Sequence, residues 1–252
     1  MALKKKTLLH TIAPIATFFI VFLFWEIIVK SFELPKWLLP APSNIFYSMV
    51  ANFPAFWPHI WMSFITIFLG FIMAIPIAIT FSAIVTNYVV VSAALTPYVL
   101  FLVTTPIITL VPLLMLWMGF GVNTRILTVL IQAFAIINLN SCTGFLNVPT
   151  LRHELMDTFG ATRVQRFFHV TLPTALPDVF TGLRLATIFS TTTCISAEYV
   201  GGNSGLGSQI IMYSQFLKTT ESFACIFYVA LIGLFFYQLV GVVQNLVIKW
   251  KI

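Results

Sequence analysis

Six long apolar runs dominate this chain, at roughly 8–29, 59–85, 94–118, 124–146, 178–199 and 223–248. An α-helix rises 1.5 Å per residue, so about 20 residues cross the ~30 Å hydrocarbon core of a bilayer. Each run reaches that length, with some to spare for tilt. Inside lipid an unpaired backbone amide has no water to bond, so an isolated apolar segment crosses only as a helix. The expected fold class is therefore an all-α membrane protein with six transmembrane helices. Composition rules against a soluble fold: only 8% of residues are charged, against about 25% in soluble domains.

The basic residues set the expected orientation. An even number of spans puts both ends on one side. With both termini cytoplasmic, the inner positions are Lys4, Lys5, Lys6, Arg152, Arg163, Arg166, Arg184, Lys249 and Lys251. The outer ones are Lys30, Lys36, Arg125 and Lys218. Nine against four satisfies the positive-inside rule. The net charge of +6 thus sits at helix ends and is an orientation signal, not a nucleic-acid footprint. The first run is too long for the apolar region of a signal peptide, and no small-residue cleavage site follows it. Cys142, Cys194 and Cys225 match no metal or redox spacing and read as small packing residues. The histidines, His10, His59, His153 and His169, are scattered, which argues against a metal site or a membrane enzyme.

The loops differ in character. Segment 31–58 is proline-rich, and Ser43 after Pro42 is placed to cap a short interfacial helix bearing Ile45, Phe46, Met49, Val50 and Phe53. Glu26 beside Trp25 reads as an anchor at the outer end of the first span. The outer loop 201–222 opens with Gly-Gly-Asn-Ser-Gly-Leu-Gly, which suits either a tight turn or a re-entrant loop. Pro76, Pro106 and Pro112 are expected to kink their helices.

The longest inner segment, 147–177, holds most of the internal charge. Leu151, Leu155 and Phe159 recur every four residues and form one apolar stripe. Gly160 supplies the positive φ that ends a helix. Thr162 and Gln165 have capping-box spacing for a second helix, with Val164, Phe167 and Phe168 on its apolar face. Leu172-Pro173 is expected to stop it, before Pro177 leads into the fifth span. A hinged pair with one apolar and one charged face suits either a docked partner or the inner membrane surface.

Polar residues inside the apolar runs are functional candidates. On the fifth span Thr187, Ser190, Thr191, Cys194 and Glu198 recur at three- and four-residue steps. Such a stripe lines a pathway or packs helices together. Thr104, Thr105 and Thr109 on the third run, and Asn138 on the fourth, are weaker candidates. The chain contains no phosphate-binding G-x-x-x-x-G-K-[ST] loop, so energy for uphill transport comes from another chain or from an ion. An ion-coupled carrier typically shows buried charge and paired broken repeats, and neither is evident. A vitamin-binding membrane component would also carry such apolar runs. A plain membrane scaffold would too, but it would not explain the ordered inner segment.

The order of motifs favours one family. Glu154 and Gly160, six residues apart, followed by Ala161 and by Val170-Thr171-Leu172-Pro173, resemble the cytoplasmic E-A-A-x-x-x-G loop of ABC-importer permeases. Leu155-Met156 replace the two alanines. Leu39-Pro40-Ala41-Pro42-Ser43, then Pro106, Pro112 and Leu116-Trp117-Met118-Gly119, then Ala197-Glu198 and Gly205-Leu206-Gly207, resemble further segments of the same family in the same order. The chain is similar throughout to the branch that serves nitrate, sulfonate, taurine and thiamine-precursor importers. That resemblance implies a single permease domain with the type I importer fold, in the bacterial inner membrane and with no catalytic site of its own. It implies a homodimeric pore, ABC ATPase subunits carrying the ATP and magnesium, and an extracytoplasmic binding protein. The 150–173 loop would couple to the ATPases through Glu154, Asp157, Gly160, Ala161, Arg163, Phe167, Phe168 and Pro173. The substrate class would be a small anion of the nitrate, sulfonate or taurine type, or a thiamine-precursor pyrimidine. No fixed cation stands in the expected path, so specificity is expected to lie with the binding protein.

Overall fold

The computed structural model describes residues 2–249, which are helical almost throughout. The helices, in order, are α1 (Ala2–Ser31), α2 (Pro42–Ala51), α3 (Phe53–Asn87), α4 (Val89–Thr104), α5 (Ile107–Met118) and α6 (Val122–Leu146). There follow α7 (Thr150–Thr158), the single turn α8 (Arg163–Arg166), α9 (Leu172–Gly201), α10 (Leu206–Gln215) and α11 (Thr219–Val247). Lys251, one of the expected inner charges, lies outside the described residues. Among the described residues, α3, α6 and α11 are each long and apolar enough to cross a bilayer. The run expected over 94–118 is folded as two helices bent by 100° between Thr104 and Ile107. Pro106 has no N–H to donate back and drives Thr105 into an extended conformation, with ψ 123°. By contrast α3 continues through Pro76 and α5 through Pro112.

The chain divides into two compact units. The first combines residues up to Pro58 with Gln209–Phe227. Aromatic contacts hold it together: Phe22 packs on Phe227 and Trp25 on Phe223, with ring centroids 5.8 Å apart in both pairs. Ser43 does not cap α2. Ala41 occupies the cap position, and Ser43 donates through its amide (3.0 Å) and hydroxyl (2.7 Å) to the Glu26 carboxylate. Glu26 is thereby a charge placed at a helix N-terminus, where the exposed amides favour an anion, and Lys30 lies 2.7 Å from it.

The second unit, His59–Ser208 with Tyr228 onward, centres on α6 and α9. Half of the most apolar stretch of α6 is buried (50%), against 33% for α3 and 22% for α11, so α6 is an inner helix and α11 mostly an outer one. Its core joins Phe71, Ala74 and Ala78 of α3, Ala133, Ile136, Ile137 and Phe145 of α6, and Ala175, Val179, Phe180 and Leu183 of α9. Alanine is frequent here because association in lipid depends on close van der Waals packing, which small residues permit. Helix α9 starts earlier than the sequence suggested. The chain passes from α8 through a π-helical turn, Phe167–Thr171, straight into α9. Pro173 does not stop it: the proline, which has no N–H to donate, lies where the π turn widens the helix and passes into α9.

Candidate functional site

Two polar constructions stand out, both within the second unit. The first is the elbow formed by α7, α8 and the π turn. Helix α7 closes at Gly160, whose φ of +67° is left-handed. Its N–H donates to the Asp157 carbonyl (3.0 Å) and the Ala161 N–H to that of Met156 (3.1 Å), the paired bonds of a Schellman closure. The chain restarts two residues later. Thr162 accepts from the Gln165 amide (3.3 Å) while the Gln165 side chain accepts from the Thr162 amide (2.9 Å), a complete capping box. An ion pair between Asp157 and Arg166 (2.9 Å) ties the two helices across the hinge. Phe167 turns inward onto Phe145 of α6, with centroids 5.3 Å apart, and Arg152 donates to Thr174 of α9 at 2.8 Å.

This frame holds an apolar surface outward. Leu151, Leu155 and Phe159 are between 57% and 77% exposed, and Val164 and Phe168 are exposed as well. Glu154 is exposed beside the stripe. Arg163 lies back over the Tyr88 ring, 5.9 Å from its centroid. The elbow therefore assembles the sequence-predicted coupling residues, with Phe167 turned to the core and Arg163 toward α3.

The second construction surrounds Glu198 at the far end of α9. Its side chain is fully buried. The Ser63 hydroxyl of α3 lies 2.8 and 3.0 Å from the two carboxylate oxygens and donates to one of them. The Gly207 N–H donates at 2.8 Å, and the Arg125 guanidinium of α6 stands 3.9 Å away. Arg125 also donates to the Ser204 carbonyl (2.7 Å) and hydroxyl (3.1 Å). The Leu206 N–H donates to Ser63 and the Gly205 N–H to His59 Nδ1. The carboxylate thus pins the 202–207 turn to α3, α6 and α9. The turn passes so close that a Cβ at Gly205 would fall on the Glu198 carboxylate, which explains the glycine there. Sequence reasoning found Glu198 and the glycines but missed Ser63, His59 and Arg125. Arg125, expected as an outer surface charge, is only 4% exposed.

The remaining candidates are spread out. Thr187, Ser190, Thr191 and Cys194 are buried on the inner side of α9. Thr187 and Thr191 bond backward to carbonyls of their own helix, and Cys194 approaches Ser63 and Glu198. Asn138 is buried on α6 and donates to Ser82 of α3 at 2.7 Å. Thr104, Thr105 and Thr109 flank the α4–α5 bend, where each hydroxyl satisfies a backbone carbonyl.

An all-helical membrane protein with a hinged, apolar elbow between two long helices is the kind of chain that transmits motion from a partner to a membrane pathway. Residues 78–249 match the model of the family described as binding-protein-dependent transport system inner membrane component, and the chain belongs to that family. It is 26% identical over 247 residues to the formylaminopyrimidine transport permease protein ThiX of Halalkalibacterium halodurans, covering 96% of this chain and 97% of that one. It is 27% identical over 238 residues to the riboflavin transport system permease protein RibX of Chloroflexus aurantiacus, covering 93% and 88%. The fold is similar to that of an amino acid ABC transporter crystallised with histidines, with TM-score 0.64, 18% identity, and coverage of 79% of this chain and 97% of that one. The chain is an ABC-importer permease subunit of the inner membrane, a transport component and not an enzyme.

Proposed function

We propose that this chain forms, as a homodimer, the translocation pathway of an ATP-driven importer. Its elbow is the seat for ABC ATPase subunits that bind the ATP and magnesium. The observation that carries this reading is the elbow itself: three exposed apolar side chains, Leu151, Leu155 and Phe159, on a frame fixed by two helix caps and an ion pair. Exposed apolar residues on a rigid frame are complementary to a protein groove. Glu154 supplies a rim charge that adds specificity more than affinity.

The six spans are then α1, α3, the bent pair α4–α5, α6, α9 and α11, with both termini cytoplasmic. Motion of the elbow passes directly into α9, because the π turn joins them without a loop. The polar stripe from Thr187 to Glu198 reaches the pathway when α9 parts from α3 and α6. Thr105 and Thr109 flank the bend and offer polar groups to the pathway. Substrate arrives on an extracytoplasmic binding protein, in keeping with the family description.

For the substrate, the thiamine-precursor pyrimidine class is favoured over the small anions. Two relatives that span most of the chain are named for formylaminopyrimidine and riboflavin, and another that spans 90% of it is named for aliphatic sulfonates. The preference therefore rests on Arg125, which is buried near the pathway's outer end and already paired with Glu198. Proteoliposomes containing the permease, its ATPase and its binding protein test this. ATP-dependent uptake of formylaminopyrimidine is expected, and Phe159→Asp is expected to abolish it. Uptake of taurine or nitrate in place of the pyrimidine would overturn the substrate reading. Uptake undiminished by Phe159→Asp would overturn the role of the elbow.

A further inference from the structure

The inner end of α3 and the elbow enclose an apolar groove of about 420 Å³. Ile79, Ala83 and Ile84 form one wall; Val164, Phe168 and Leu172 form the other. Tyr88 and Arg163 stand at its mouth, the guanidinium over the ring. Among the described residues no carboxylate lies within ion-pair distance of Arg163, and Asp157, an acid of the same elbow, is engaged by Arg166. The groove thus combines apolar walls with one uncompensated cation.

Its depth narrows the occupant. Ile79 and Ala83 belong to the apolar run 59–85, while Tyr88 lies just beyond it and holds Arg163 over its ring. The groove therefore runs from the edge of the hydrocarbon to the level of the headgroups. Charge narrows it further. On the cytoplasmic side only Glu154, Asp157 and Asp178 face nine basic residues, whereas on the outer side four acids face four bases. The whole excess of +6 therefore lies where the anionic inner leaflet is.

We propose that this groove binds an anionic phospholipid of the inner leaflet. One acyl chain lies between Ile84 and Phe168, and the phosphate accepts from the Arg163 guanidinium and the Tyr88 hydroxyl. A planar guanidinium matches phosphate oxygens in a fork, and stacking on Tyr88 limits how far it swings. A net-neutral phospholipid offers the same phosphate but sets a second cation beside Arg163. The bound lipid bridges α3 and the elbow, so inner-leaflet composition bears on the part that meets the ATPase. This inference rests on the cytoplasmic placement proposed above.

Native mass spectrometry of the importer, released from nanodiscs of mixed phosphatidylglycerol and phosphatidylcholine, tests it. The wild type is expected to retain phosphatidylglycerol selectively. Arg163→Gln is expected to weaken that retention about fivefold, the factor for removing one surface cation. Ile84→Trp changes a position 51% exposed, fills the groove without touching the charge, and is expected to weaken retention as well. Excess inorganic phosphate is expected to leave the lipid in place. Unchanged retention in both variants overturns the proposal, as does displacement by phosphate. Loss of the lipid whenever the ATPase is bound overturns it too, since the groove is then the ATPase's own seat. Both faces of a nanodisc carry the same lipids, so a wrongly assigned orientation leaves retention intact. Failure of the groove is therefore separable from failure of the topology.

Discussion

Gly160 offers a sharp quantitative test of the elbow, because its backbone and its surroundings make opposite demands. Its φ of +67° disfavours any residue with a Cβ, yet a Cβ there would meet nothing within 4 Å. Bulk is therefore harmless, and conformation alone sets the cost. A left-handed alanine costs about 1–2 kcal/mol, offset by about 0.4–1 kcal/mol from the less flexible unfolded chain. Gly160→Ala should thus weaken the closed elbow by about 1 kcal/mol, roughly fivefold in its equilibrium. Asparagine tolerates this conformation, so Gly160→Asn should lie close to wild type, while β-branched Gly160→Val should be worse than alanine. Hydrogen exchange at the Ala161 amide, which bonds to Met156, reads closure directly, and affinity for the ATPase reads its consequence. Protection of that amide from exchange and affinity for the ATPase should both fall in the order Gly, Asn, Ala, Val. If affinity instead follows side-chain volume, with asparagine as damaging as valine, the hinge argument is wrong.

Further outcomes follow from the buried contacts. Glu198→Ala leaves Arg125 buried without its counter-charge and should destabilise the protein by about 3 kcal/mol in thermal unfolding. Adding Arg125→Met should recover part of that loss, and full additivity of the two changes would show that the groups do not interact. Asn138→Ala removes the donor to Ser82 and should cost about 1–3 kcal/mol by the same measurement. Asp157→Ala breaks an ion pair whose acid is 56% exposed, so its effect on unfolding should stay below about 1 kcal/mol. A larger loss would mean that the pair is shielded from solvent in the assembled protein.

What was legible in the sequence divides by the range of the interaction. The elbow was readable because its determinants are local. Gly160 sits at the closure, Thr162 and Gln165 are three residues apart, and Leu151, Leu155 and Phe159 share one face. The Glu198 assembly was only half readable. Glu198 and Gly205-Leu206-Gly207 lie close in sequence, but Ser63 and Arg125 reach the carboxylate from helices 135 and 73 positions away, beyond any periodic pattern. Ser43 shows the same limit. Its position suited a local cap, yet Glu26, 17 residues upstream, is a stronger acceptor for its hydroxyl and amide. Proline gave a mixed signal. Pro106 breaks a helix while Pro76, Pro112 and Pro177 do not, because the outcome depends on whether neighbouring groups satisfy the carbonyl left free.

The most direct test of the central claim is the accessibility of the elbow's apolar stripe. In a chain whose half-buried Cys142 is replaced by serine, Leu155→Cys places a thiol on a residue 57% exposed in the chain alone, whereas native Cys194 and Cys225 are buried. Maleimide labelling of that thiol is expected to be rapid in the isolated permease and strongly suppressed once the ATPase subunits are bound. Labelling at the same rate in the assembled importer would show that the elbow is not where the ATPase sits.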